Sequence, residues 1–331
     1  MAGVGVGVLH PGEMGSFVAA AARVGGGRAE VRWASAGRST ATRRRAEADG
    51  LVDAGSVAAL AAQSEIILSV CPPHAALEVA RTVAGLGFGG VYLDANAVAP
   101  ATTRAIGALV EAGGARFVDG GLIGNPARGL LSPRDHGSPP GRAHAAADAS
   151  QPPRLYLSGP AIEVARVAAL FANSPLAART VAGGAGAASA LKMCYAAWTK
   201  GSAALLLAIR ATATAEGVDE ALLAEWADSQ PDAPARSTSA LRGTPRKAWR
   251  WVAEMEEIAA TLEAAGLPGG FHHAAAEVYR RLERHKDAAS PPAAEAVLAD
   301  LLAAATATAM GMGMGMGAEP APAGQRAPGS G

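Results

Sequence analysis

The chain has little charge, few aromatic residues and almost no cysteine. Only 18% of its 331 residues are charged, and Lys+Arg and Asp+Glu both number 29. That balance excludes the global positive field on which non-specific binding to nucleic acid or an anionic membrane depends. Two cysteines, Cys71 and Cys194, are too few for a disulfide framework or a zinc cluster, and no metal site is expected. No apolar run reads as a membrane span, and the first residues lack a basic stretch followed by a long apolar one, so a cytoplasmic protein is expected. What is abundant is alanine and glycine, the latter 41 times. Alanine favours helix almost anywhere, which blunts the propensity signal.

Periodicity is more informative. Strand-like runs "GVGVGVLH", "AEVRWAS", "EIILSV", "GVYLDA" and "ARFVDG" alternate with helical segments, the pattern of a parallel sheet covered by helices. "RLYLSG" and "ARTVAG" add two further strands around the helix "AIEVARVAALFA". From Gly186 the chain reads as nearly all helix. The expected fold is therefore an α/β doubly wound sheet over residues 1–182, an all-helical domain over 183–309 and a low-complexity tail over 310–331 that lacks the apolar content to order itself. Between Ala127 and Pro153 the chain loses periodicity and gathers Pro, Gly, Asp and Ser; it is a long surface excursion, either a lid or an insertion.

Ligands of such sheets bind at the carboxyl ends of the strands. The first strand ends in His10-Pro11-Gly12-Glu13-Met14-Gly15, which keeps the second and third glycines of G-x-G-x-x-G and puts His10 in place of the first. Gly12 would let backbone approach a pyrophosphate and Gly15 would let the helix approach the sheet, while the helix start offers free N–H groups. After the second strand an NAD site would usually supply an acid to the ribose, and none occurs before Glu47. Gly37, Arg38 and Ser39 stand there instead, with Arg43 one turn on, which argues for NADP(H): Arg38 can lie over the adenine and pair with a ribose phosphate, Ser39 can donate a hydrogen bond and Arg43 can add charge.

In "GAASALKMCYAAWTKG" a lysine, Lys192, interrupts a run of small and apolar residues, with Tyr195 one turn away. A buried ammonium needs a partner or a changed pKa; the other reading is a lysine that snorkels to solvent. Tyr195 would orient a substrate, donate a proton or pack its ring. Further along, Trp226 is a candidate wall of a substrate cleft, and Lys247, Trp249, Arg250, Glu254 and Glu257 share a helical segment. Trp249, Trp251 and Met255 also suit a homodimer interface, and His272-His273 reads as a helix start or surface pair.

Taken together, these segments resemble the β-hydroxyacid dehydrogenase superfamily, with 3-hydroxyisobutyrate and 6-phosphogluconate dehydrogenases among its members, and its branch with a distinct helical carboxyl-terminal domain. The resemblance runs from about Val4 to Leu282 and implies a Rossmann domain, NADP(H), a small-molecule substrate and pairing of two chains. It makes Cys71, Pro72 and Pro73 the strand-end motif beside the cofactor, and Lys192 the general acid/base that exchanges a proton with the substrate oxygen. Asn96, within "DANA", becomes a contact to cofactor or substrate.

The departures bear on the substrate. Ala188 replaces the second glycine of the catalytic helix and Tyr195 its asparagine. Ile123, Gly124 and Asn125 stand where the family grips a carboxylate with a serine and glycines, so carboxylate recognition loses a hydroxyl. Imine reductases, a related group, usually carry aspartate or tyrosine at the lysine position; Lys192 favours carbonyl chemistry, and Tyr195 keeps imine reduction open. The remaining alternative is a cofactor-binding sensor or partner protein without turnover.

Overall fold

The computed structural model describes residues 4–26, 29–126, 152–286 and 288–312. Its first part alternates strands and helices: β1 (Gly5–Val8), α1 (Glu13–Val24), β2 (Glu30–Trp33), α2 (Thr40–Ala48), β3 (Val52–Asp53), α3 (Val57–Ala62), β4 (Ile66–Ser69), α4 (Ala76–Gly85), β5 (Val91–Asp94), α5 (Pro100–Ala112) and β6 (Arg116–Ile123). Then follow β7 (Arg154–Ser158), α6 (Ala161–Leu170) and β8 (Ala177–Thr180). The eight strands form one sheet in the order β3-β2-β1-β4-β5-β6-β7-β8.

The sheet is buried on both sides, so its central strands are continuous apolar runs. Successive residues of β4 serve opposite faces: Ile66 and Leu68 pack with Phe17 of α1 and Val167 of α6, and Ile67 packs with Ala80 of α4 and Ile106 of α5. The strand order reverses between β1 and β4, which pair in parallel through Val6 and Ile66. A reversal of this kind splays the two following loops apart and opens a crevice at the carboxyl edge.

Two features depart from the sequence expectation. The sheet is not wholly parallel: β7 pairs antiparallel with β6, Ile123 opposite Arg154, and β8 runs parallel to β7. Strands joined at the same end of a sheet meet antiparallel, whereas a parallel neighbour requires the chain to travel back along the sheet first. The two-residue β3 beside β2 is too short to carry a periodicity signal. The excursion over residues 127–151 lies outside the described residues.

The rest is helical: α7 (Ala187–Ala215), α8 (Asp219–Ser229), α9 (Ala233–Gly243), α10 (Ala248–Ala264), α11 (Gly270–Arg280) and α12 (Ala294–Met312). The last helix passes Met310, where the sequence places the start of the tail; residues 313–331 lie outside the described ones. The chain divides into two compact units, Met1–Ser202 with Trp249–Glu277 and Ala203–Ala248 with Val278–Gly331. Within the second, the buried Arg210 of α7 holds Asp219 of α8 at 2.6 and 2.8 Å and Ser237 of α9 at 3.0 Å, so one guanidinium fork joins three helices. No helix among the described residues is long and apolar enough to cross a membrane.

Candidate functional site

At the end of β1 the backbone folds tightly, Gly12 N–H donating to the His10 carbonyl at 2.8 Å. A Cβ on Gly15 would overlap that same carbonyl oxygen and meet Val70 O at 3.4 Å, so glycine is what lets α1 come down onto the strand ends. A Cβ on Gly12 would meet nothing within 4 Å. Gly12 is also the N-cap of α1 and has no side chain to satisfy the first amides. Open space beside uncapped N–H groups is what a phosphate needs. Arg45, which reads in sequence as surface charge, donates to the Pro11 carbonyl at 3.3 Å and braces this turn from outside. Met14 packs against the sheet core, and Glu13 meets Arg250 of α10 at 3.4 Å.

The turn after β2 lies close by. Gly37 adopts φ +71°, left-handed backbone that glycine enters without strain. Ser39 caps α2, its Oγ accepting from Thr42 N at 3.3 Å. Arg38 and His10 line a cleft of about 260 Å³ together with Leu9, Val57, Glu78 and Thr82. Nε of Arg38 and Nδ1 of His10 are buried without a hydrogen-bond partner among the described residues. Burial and the Arg38 charge push the His10 pKa down to about 4, so the imidazole is neutral beside the guanidinium. Arg43 folds back to donate to the Ser35 carbonyl at 2.9 Å. The sequence reading missed Asp53, which ends β3 opposite Trp33 and accepts from Gly55 N at 2.7 Å. Hydrogen bonds from Ser35 are the largest cause of its lowered pKa, so this carboxylate is already occupied in closing the turn.

Across the reversal, the ends of β4 and β5 are tied by Asn96, which is 2% exposed. Its Oδ1 accepts from Cys71 N at 2.6 Å, and its Nδ2 donates to Ser69 Oγ at 3.1 Å and to Asp94. Both amide hydrogens are thereby used inside the fold. Burial, followed by Asp94, pushes the Cys71 thiol up to about 12, so it is no nucleophile near neutral pH. Pro72 and Pro73 lead from Cys71 through a single 3-10 turn into α4. Asp94 is fully buried, and burial together with neighbouring Asp119 pushes it up to about 8.

Lys192 sits in the second turn of α7, half-buried, its Nζ donating to the Leu122 carbonyl of β6 at 2.5 Å. Desolvation first, and Arg250 second, lower its pKa to about 8. The ammonium therefore does not snorkel freely; it has a backbone partner and a softened charge. Arg250 reaches Glu13 and acts on Lys192, which brings the turn after β1 and the lysine into one neighbourhood. Ile123 is buried at the end of β6, and Gly124, at φ +106°, and Asn125 are exposed beyond it. Tyr195 is 40% exposed, and Trp226 stands half-buried on α8 in the other unit.

Several further candidates on α10 and α11 have structural employment. Glu257 accepts from Ala99 N at 2.6 Å and Thr102 Oγ1 at 3.2 Å, capping α5 from a distance. Glu254 pairs with Lys200, whose ammonium lies 5.2 Å from the Trp251 ring centre. Met255 is fully buried within the chain, which removes it from the interface expected of it. His272 is 7% exposed, and His273 bridges Glu256 and Glu263 at 2.6 and 3.0 Å. No group suited to a metal ion occurs among the described residues.

The fold and this edge define a doubly wound dinucleotide-type sheet joined to helices, and known proteins share it. Residues 213–282 match a domain of unknown function, DUF1932. No curated protein matches the chain. The conserved protein MTH1747 of unknown function, described as structurally similar to 3-hydroxyacid dehydrogenases, superposes with a TM-score of 0.59 at 24% identity, over 86% of this chain and 98% of that one. A conserved hypothetical protein from Sinorhizobium meliloti gives 0.58 at 25% identity over 90% and 95%. Mycobacterium tuberculosis 3-hydroxyisobutyrate dehydrogenase, solved with L-serine, gives 0.61 at 15% identity over 92% and 99%. Likeness at these identities is likeness of fold.

Proposed function

We propose that the protein is an NADP(H)-dependent oxidoreductase acting on a carbonyl/alcohol pair of small molecules, with Lys192 as general acid/base. The observation that carries this reading is the Lys192 ammonium, desolvated, bonded to Leu122 O and lowered to about 8, on the unit that also bears the open glycine turn. The fold shared with dehydrogenases supports it.

The residues present fit a dinucleotide. Gly12 and the uncapped start of α1 would hold the pyrophosphate, and Arg38, with its unpartnered Nε, would meet the adenosine end and its phosphate, with Ser39 beside it. Arg43, committed to Ser35 O, adds charge rather than a direct grip. The cofactor would supply or accept the hydride. In reduction the Lys192 ammonium donates its proton to the substrate oxygen as negative charge builds there; in oxidation the neutral amine takes that proton back. Leu122 O holds Nζ in place meanwhile. Asn96 braces the loops after β4 and β5 instead of offering free donors. A second reading, imine reduction, draws on the exposed Tyr195 one helical turn from Lys192, a phenol able to protonate.

An NADPH oxidation screen against aldehydes, oxoacids and cyclic imines identifies the substrate. Lys192→Met should then leave NADPH binding nearly intact while single-turnover hydride transfer falls roughly 10²–10⁴-fold. Because reduction needs the ammonium and oxidation the amine, wild-type reduction should decline above pH about 8 and oxidation should rise through it. An unchanged hydride-transfer rate in Lys192→Met removes the lysine from catalysis. A matching collapse in Tyr195→Phe moves the reading to imines.

A further inference from the structure

The mechanism leaves unused the most heavily hydrogen-bonded side chain near the lysine. Asp119, on β6, is fully buried, and the sequence offered it only as the aspartate of the strand run "ARFVDG". Its Oδ2 accepts from Gly186 N at 2.9 Å, Ser189 N at 3.1 Å and Ser158 Oγ at 2.9 Å, and its Oδ1 accepts from Ser189 Oγ at 2.6 Å. Ser158 Oγ in turn accepts from Ala188 N at 3.0 Å. The first amides of a helix have no partner within it and are usually met by its own N-cap side chain. At α7 they are met by a carboxylate some seventy residues away in sequence, where a negative charge also suits the helix dipole.

The same strand touches the same helix twice more. A Cβ on Gly121 would lie 2.6 Å from Ala188 O and 3.2 Å from Lys192 Cβ, so only glycine there allows this approach. One residue on, Leu122 O receives Lys192 Nζ. Residues 119, 121 and 122 of one strand therefore fix the start of α7, its distance from the sheet and the tip of its lysine. We infer that Asp119 is the positioning residue for Lys192: by clamping the amino terminus of α7 to β6, it sets the helix so that the ammonium lands on the Leu122 carbonyl. This rests on the reading of Lys192 as acid/base, deepens it, and is tested apart from it.

The measurement is the pH dependence of Lys192 acetylation by acetic anhydride in the full chain, read by peptide mass spectrometry, with an added short lysine peptide as reference. Wild type should titrate near 8. In Asp119→Asn, where an NH₂ faces the helix amides, the lysine should be released toward ordinary lysine behaviour and its labelling at pH 8 should fall at least about fivefold, since a rise of one pKa unit from 8 takes the free amine from about one half to about one tenth. Ser189→Ala, which removes the hydroxyl from Oδ1 and keeps the carboxylate, should move the profile the same way by less. NADPH affinity should hold in both while turnover falls. A folded Asp119→Asn whose Lys192 titrates as wild type overturns the inference; if that variant does not fold by circular dichroism, an unshifted profile in Ser189→Ala overturns it instead. A shifted profile together with full turnover in Lys192→Met supports the clamp and overturns the catalytic reading.

Discussion

At the scale of single residues, two side chains make separable claims. Arg38 brings a partly buried guanidinium to a cleft with its Nε unpartnered among the described residues, a donor placed to meet an anion there. Arg38→Ala should weaken NADPH binding by about 1.5–3 kcal/mol and spare NADH, as measured by calorimetric titration of both. Equal losses would return Arg38 to the adenine ring alone. Asp94 makes a claim about stability. Its folded pKa, about 8, lies above the ordinary 3.8, so between those values the native chain binds a proton that the unfolded chain does not. Stability from this group is full below pH 4, is lost as pH rises toward 8 and is flat beyond. Asp94→Asn keeps the oxygen that accepts from Asn96 and removes the titration. Its melting temperature should exceed wild type at pH 7 and converge with it near pH 4, as read by thermal unfolding at the two pH values.

At the scale of elements, the strands and helices that carry strong apolar runs were legible. The seven strands read from sequence all form, the central ones because a sheet covered on both sides needs near-continuous Val, Ile and Leu. What escaped were elements whose signal is not apolar. β3 is two residues long and held by its neighbour; α9, "APARSTSALRG", lies within the half read as helix but has no apolar period of its own, and Arg210 on Ser237 supports its proline and three hydroxyl residues, poor helix formers. Strand direction at β7 was equally hidden, since a sequence shows that two strands exist and not which way they meet. The glycine turn was legible as a degenerate G-x-G-x-x-G between strand and helix and Lys192 as a lysine amid small, apolar residues, while the acid/base role proposed for Lys192 came from the family resemblance. Asp119 was not: its partners are the amides of residues 186 and 189, and backbone donors leave no mark in a sequence. Asn96 was legible as polar but not as spent.

At the scale of the whole molecule, the surface of α7 bears on association. Leu191, Tyr195 and Trp198 recur at helical spacing and are 36%, 40% and 68% exposed. Exposed apolar side chains in such a row can pack against a second copy about a twofold axis, so the pairing expected from the sequence can be tested on this helix. Light scattering at micromolar concentration should report a dimer, and Trp198→Glu a monomer. A monomeric wild type would assign the stripe to another duty.

The antiparallel meeting of β6 and β7 has a consequence in polymer terms. Ile123 and Arg154 are direct partners across the ladder, and just beyond them a Cβ on Gly124 would lie 3.1 Å from Pro153 Cα. The chain thus departs and returns at one point, so a short turn could join the two strands, and the entropy of closing a loop grows only as the logarithm of its length. Exchanging residues 127–151 for a short turn should then raise stability by roughly 1–2 kcal/mol, at about 0.6 kcal/mol for each halving. Denaturant titration reads that gain. Hydride-transfer kinetics on the shortened chain tell whether the excursion is idle length or takes part in the chemistry.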